Sequence, residues 1–143
     1  MKLKVMPDKS MTLMGLIDEY DDRDVGRLQI NLPEPGETTA SIWSVYIDPD
    51  YRGRGYGMLL MVEALMQLKK QCPKTKRVWL YVARANERAV KLYRTIGFVD
   101  SPGNNNDKVS NLVMELALDR KGMDHVRYLD RILAPLWGNG KAA

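Results

Sequence analysis

The sequence predicts an α/β fold, a mixed and partly antiparallel sheet with flanking helices. Three observations predict it. Two apolar runs surround a polar cluster near the start, as in a β-hairpin. A strand, a glycine loop, a helix and another strand follow, which makes a βαβ-like unit. Short β-branched runs then alternate with helical periodicity to the end.

The chain has 143 residues, enough for one domain with a real core. LKVM at 3–6 predicts a short strand. TLMGLIDEY at 12–20 and VGRLQINL at 25–32 predict the hairpin, turning at Asp21–Asp24, and Pro33, Pro35 and Gly36 break the pattern. SIWSVYI at 41–47 is almost continuously apolar, which predicts a strand covered on both faces. From Tyr56 to about Gln71, residues Leu59, Val62, Leu65, Met66 and Lys69 recur at helical spacing, and Pro73 ends the helix. RVWLYV at 77–82 is the next strand. Asn86 is a good N-cap and Gly97 a good stop for a second helix, with Phe98-Val99 starting another short strand. A loop at 101–107 and a strand at 109–118 follow. The last segment predicts a helix from about Met123 to Leu133, ending before Pro135. Val126, Leu129, Ile132, Leu133 and Leu136 lie on its apolar face.

The net charge of +4, from 22 Lys+Arg against 18 Asp+Glu, suits an anionic ligand but does not call for nucleic acid. No paired-aromatic or recognition-helix signature points to nucleic acid either. No apolar run is long enough for a membrane span or a secretory signal. The lone Cys72 allows no internal disulfide and fits a cytoplasmic, reducing compartment. One Cys and one His, His125, cannot make a closed zinc site, so no metal is expected.

The loop Asp48 to Gly57 leaves a strand and opens a helix. Its glycines allow close backbone approach, the helix start offers free N–H groups, and Arg52 and Arg54 add charge. Those are the requirements for holding a pyrophosphate. A Walker A loop is excluded because no Gly-Lys-Ser/Thr follows. The Rossmann pattern is excluded because the glycines run Gly53, Gly55, Gly57.

Downstream, residues 86–98 have the form N-x-x-A-x-x-L-Y-x-x-x-G-F. With Arg52, Gly55 and Gly57 matching R/Q-x-x-G-x-G/A, residues 41–100 resemble the GNAT superfamily of acyl-CoA-dependent N-acetyltransferases. The resemblance implies acetyl-CoA as acyl donor, with its pyrophosphate on Arg52, Gly53, Arg54, Gly55, Tyr56, Gly57 and Met58. It implies pantetheine beside the free backbone near Tyr46 and Ile47, and Asn86 on the cofactor arm. Tyr93 would stand near the sulfur as general acid, and the Ile47 N–H would face the developing oxyanion. The acceptor is an amine of a small molecule or a protein. Arg84, Arg88, Lys91 and Arg94 are candidates for the 3′-phosphate, an acidic partner or plain solvation. The general base stays open among Asp18, Glu19 and a water held by Ser44 or Tyr46.

The chain departs from the family where two helices normally separate the first two strands. Only Pro7 to Met11 lies there. The acceptor side is then open or is built by something else, with the amphipathic segment from Met123 to Trp137 as a candidate, and residues 1–120 are expected to form the acetyltransferase domain. Residues 121–143 would be a C-terminal helix and tail, packed on that domain or on a second copy in a homodimer. His125 is expected to be exposed or capping. A second function class follows from the same departure, a catalytically weak module that binds CoA or a protein partner.

Overall fold

Alternation along the strands decides the architecture. The computed structural model describes residues 1–103, 110–138 and 140. Among the described residues seven strands form one sheet in the order β1-β2-β3-β4-β5-β7-β6. They are β1 (Lys2–Pro7), β2 (Met11–Asp18), β3 (Arg23–Asn31), β4 (Thr39–Ile47), β5 (Arg77–Ala83), β6 (Val99–Asp100) and β7 (Asn111–Ala117). Among these strands only the β4–β5 pair is parallel. Thr12, Met14 and Leu16, Leu28 and Ile30, Ala40 and Ile42, Val78, Leu80 and Val82, and Leu112, Met114 and Leu116 are all buried. With a period of two, these side chains share one face, and that face carries the helices.

The helices are α1 (Tyr56–Gln71), α2 (Glu87–Ile96) and α3 (Arg120–Leu133). α1 packs on β2, β3 and β4, α2 packs on β5, and α3 packs on α1 and α2. The sequence suggests one apolar stripe on α1, yet Leu60, Met61, Ala64 and Leu68 are buried as well. They are buried because α3 covers the side of α1 turned away from the sheet. A helix apolar nearly all round belongs between two layers.

α3 starts at Arg120 rather than Met123, because the Asp119 side chain accepts from the Gly122 N–H at 2.8 Å and caps it. Its buried stripe is Met123, Val126 and Leu129, whereas Ile132 is 54% exposed. The helix ends at Leu133 and tightens into a 3₁₀ turn, Ala134–Trp137. His125 is exposed, and its Nε2 lies 2.9 Å from the Thr95 carbonyl near the end of α2.

Other boundaries shift. β2 ends at Asp18 and β3 begins at Arg23, so the hairpin turn lies earlier than expected. β7 starts at Asn111 and ends at Ala117. The expected strand start at Val109 lies outside the described residues, as do residues 104–107 of the expected loop and 139 and 141–143 of the tail.

The expectation that SIWSVYI is covered on both faces is corrected. Ser44 and Tyr46 are exposed on the face without helices. The extra apolarity comes from Trp43, which packs edge-on against Trp79 and Tyr81 at 5.4 and 5.7 Å between ring centroids on that open face.

Candidate functional site

β4 and β5 pair over three positions only, Thr39–Arg77, Ala40–Val78 and Ser41–Trp79. Beyond Ser41, β4 stays with β3 while β5 stays with β7. The two strands part, and the outer backbone edge of β4 has no strand partner. The Asp48 N–H donates to the Val25 carbonyl at 2.7 Å. Alternation along the strand then turns the Ile47 N–H away from β3 and into the gap. Tyr46 turns its backbone to β3 and contributes its ring.

A bulge lies in the same stretch. The β3–β4 register moves from Arg27–Tyr46 to Gln29–Trp43, so Ser44 and Val45 together oppose Leu28. Ser44 takes φ 56°. Left-handed backbone is unfavourable by about 1–2 kcal/mol for a residue with a Cβ. The bulge re-aims neighbouring side chains, as such irregularities do. Val45 lines the gap between the strands, and Ser44 lines a depression on the open face.

The loop after β4 closes one end of the gap. Gly53 and Gly55 have φ 77° and 90°, conformations that glycine adopts without a Cβ clash. Gly55 stands as N-cap of α1 without a capping side chain, and Leu59 is the first residue bonded back to it, at 3.0 Å. The N–H groups of Tyr56, Gly57 and Met58 therefore have no intrahelical partner. They and the positive end of the helix dipole face the gap, an arrangement suited to phosphate oxygens.

The resulting cleft has a volume of about 520 Å³. Tyr46, Ile47, Arg52, Gly53, Gly55, Tyr56, Gly57, Met58, Asn86 and Tyr93 all line it. Arg54 does not; its guanidinium lies 5.8 Å from the Tyr51 ring centroid. Arg52 folds back, donating from Nε to the Ile47 carbonyl at 2.8 Å with its guanidinium 5.6 Å from the Tyr46 ring. Asn86 spends its side-chain oxygen on the Ala89 N–H at 3.2 Å, which caps α2 and leaves its amide N–H₂ as the donor.

Tyr93 is 7% exposed, and burial pushes its hydroxyl pKa up. It is therefore a protonated phenol at neutral pH. No protein group among the described residues bonds that hydroxyl. Its ring lies 5.9 Å from Phe98, which holds it in the wall of the cleft.

Tyr51 and Arg88 also line the cleft. Arg88, with the 3′-phosphate, an acidic partner or plain solvation as its expected roles, has its Nη2 2.9 Å from where a Cβ on Gly53 would stand. Tyr51 was missed in the sequence, where nothing distinguishes it from any aromatic in a turn. Its hydroxyl donates to Asp18 Oδ2 at 2.7 Å, which pushes the Tyr51 pKa up to about 12. The Asp18 carboxyl is held below its ordinary range, first by the Tyr20 N–H and then by Tyr51. Arg23 reaches Asp48 at 3.3 Å and also bonds Asp50. These contacts tie the β2–β3 hairpin to the loop.

The same geometry narrows the candidate bases. Asp18 is engaged at the loop end, Glu19 accepts from the Met1 amine at 3.2 Å, and neither lines the cleft. Ser44 lies in the bulge and Tyr46 directly follows it. Arg84, Lys91 and Arg94 line a separate shallow depression along α2, and Arg94 pairs with Asp100 at 3.1 Å. Cys72 caps the far end of α1. Among the described residues no group of three His, Cys, Asp or Glu could hold a metal, and no helix is long and apolar enough to cross a membrane.

Residues 6–98 match the family described as Acetyltransferase (GNAT) family. The chain is 28% identical over 104 residues to the uncharacterized N-acetyltransferase ycf52 of Gracilaria tenuistipitata var. liui, covering 71% of this chain and 53% of that protein. It is 34% identical over 59 residues to the [ribosomal protein bS18]-alanine N-acetyltransferase of Escherichia coli K12, covering 41% of this chain and 38% of that protein. Its fold is similar to that of PaiA N-acetyltransferase from Thermoplasma acidophilum in complex with coenzyme A, with TM-score 0.62 and 23% identity over 74% of this chain and 60% of that one. The chain spans about half the length, or less, of these curated relatives.

Proposed function

Because the chain belongs to the acetyltransferase (GNAT) family, matched over residues 6–98, we propose that it transfers an acetyl group from acetyl-CoA to an amine. The observation that carries the reading is the cleft where β4 and β5 part. It has free helix N–H groups at one end and the protonated Tyr93 in its wall. The uncapped N–H groups of Tyr56, Gly57 and Met58 fit a pyrophosphate, because an oxygen-rich anion satisfies donors that the chain leaves unpaired.

In this reading acetyl-CoA supplies an activated acyl carbon. The amine nitrogen attacks that carbon, a C–N bond forms, the C–S bond breaks, and CoA leaves as the thiol. The Ile47 N–H, held in place by β3 on its other side, is the donor for the charge that builds on the acyl oxygen. Tyr93 donates its proton, or a hydrogen bond, to the departing sulfur. The proton lost by the amine passes to a water held at the Ser44 and Tyr46 hydroxyls. Asn86 and Arg52 orient the arm along the edge of β4. No side chain becomes acylated, and Cys72 lies at the far end of α1 from the loop.

The test is an acetyl-CoA titration together with thiol release on a panel of amines. Wild type should bind and turn over. Gly55→Asp forces a side chain onto left-handed backbone against Leu136, so the loop must shift, and adds a negative charge beside the anion seat. It should weaken acetyl-CoA binding about 10- to 100-fold, the worth of one charge-assisted bond or more. Unchanged affinity in a folded Gly55→Asp protein would move the cofactor elsewhere. Binding without turnover on any amine would favour the module that binds CoA without catalysis.

A further inference from the structure

The bulge in β4 opens a second cavity that the cofactor reading does not use. Register places Lys4, Gly15, Arg27 and Tyr46 in one row across β1 to β4 on the open face. Gly15 has no side chain in the middle of that row, and a depression of about 350 Å³ lies there. Tyr46 lines both this depression and the cofactor cleft. The adjacent bulge residues divide, with Val45 in the cleft and Ser44 in the depression. The two cavities therefore meet across the segment where the acyl carbon would be attacked.

The charges of the depression are unequal. Lys4 and Arg27 line it against one carboxylate, Asp24. Neither cation makes an ion pair among the described residues. Arg27 is held by stacking, its guanidinium 4.9 Å from the Tyr46 ring centroid, which leaves its N–H edge free for a planar anion. Asp48 and Asp50, the acids that follow β4, do not line the depression and pair with Arg23 at the loop.

Resting on the transferase reading, we propose that this depression seats the acceptor, and that the acceptor is an amine carrying a carboxylate. Arg27 and Lys4 hold the carboxylate, and the amine is presented at Ser44 and Tyr46 beside the cleft. A polyamine brings further positive charge against an already cationic wall, and like charges placed together are strongly disfavoured. Met6 and Leu13 on one flank of the row and Ile17 on the other complete the wall with apolar surface. The transfer keeps its balance, with one C–N bond formed, one C–S bond broken, and one proton moved from nitrogen to solvent and one onto sulfur.

The experiment measures thiol release from acetyl-CoA with glutamate, the dipeptide Ala-Glu, tyramine and spermidine. Wild type, Lys4→Glu and Arg27→Gln are compared, with acetyl-CoA titration on each. One of the acidic acceptors should exceed spermidine in kcat/KM about tenfold or more. Which of the two is preferred tells a free amino acid from a peptide N-terminus. Arg27→Gln should lower that value about threefold to fivefold, as expected for an exposed charge pair. Lys4→Glu, which leaves the Tyr46 stack intact, should move the preference toward spermidine. Acetyl-CoA affinity should stay at the wild-type value in Lys4→Glu. Turnover that is highest with spermidine and insensitive to Lys4→Glu overturns the acceptor class alone. Absence of thiol release with every amine overturns the transferase reading, and this inference with it.

Discussion

On the cleft side of β4 the site is made of backbone: an unpaired strand edge, two left-handed glycines and the first N–H groups of α1. On the open side, a few ångströms through the same strand, it is made of side chains delivered by four strands in register. The backbone side depends on a short contiguous stretch, since loop, helix start and strand edge follow one another. The side-chain side depends on residues as far apart as Lys4 and Tyr46. A backbone site tolerates many substitutions but not a change of chain geometry. A side-chain site keeps its shape and changes its preference when one charge is altered.

The largest expected effect breaks the cleft side through its support. Ending the chain at Lys121 removes Met123, Val126, Leu129 and Trp137, all buried. Each is worth about 1.5–3 kcal/mol when fully buried, so together they are comparable with the net stability of a domain, about 5–15 kcal/mol. Leu136 Cδ1 also lies 3.1 Å from where a Gly55 Cβ would stand, so the segment backs the glycine loop as well as α1. The truncated chain should lose its cooperative melt and its acetyl-CoA binding together. A wild-type melting temperature after truncation would mean that α3 is a passenger.

A smaller effect sharpens the division between seat and chemistry. Tyr93→Phe should keep acetyl-CoA affinity while kcat falls about 10- to 100-fold. That lies at or below the low end for a lost proton donor, because a thiolate leaves well unaided. Unchanged kcat, with chemistry rate-limiting, would reduce Tyr93 to packing against Phe98.

The smallest effect concerns the tie between the halves. The Asp18 carboxyl is lowered from 3.8, so its contribution is present above that value and is lost as pH falls below it. The Tyr51 hydroxyl is raised from 10.0 to about 12, so its contribution is present below 10.0 and is lost as pH rises toward 12. Between about pH 4 and 10 the tie should therefore be constant. Tyr51→Phe should weaken acetyl-CoA binding only about two- to fivefold, because the bond it removes is half-buried and acts on the cofactor through the loop. It should also shrink the alkaline limb of the wild-type melting profile, leaving the part that the buried Tyr93 hydroxyl contributes. A loss as large as that of Gly55→Asp would place Tyr51 in direct contact with the cofactor.

The sequence by itself determined the elements and most of the residues that line the cleft where β4 and β5 part. Strand, glycine loop and helix are adjacent in the chain, so Gly53, Gly55, Asn86 and Tyr93 could be placed with no long-range contact known. The short Pro7–Met11 link likewise announced that β2 follows β1 with no helix between them. Only the tertiary structure decided what lies beyond adjacency. It buried α1 on two sides by laying α3 over Leu60, Met61 and Leu68, and it left Ile132 in solvent. It set the bulge at Ser44, turned Arg54 away from the cleft, and tied Tyr51 to Asp18. It also gathered Lys4, Gly15, Arg27 and Tyr46 into one row. The reason is register, because a strand's side chains alternate between faces and a shift of one residue exchanges them all. Which residues meet across a sheet is therefore settled by pairing between distant segments, and local pattern carries no record of it.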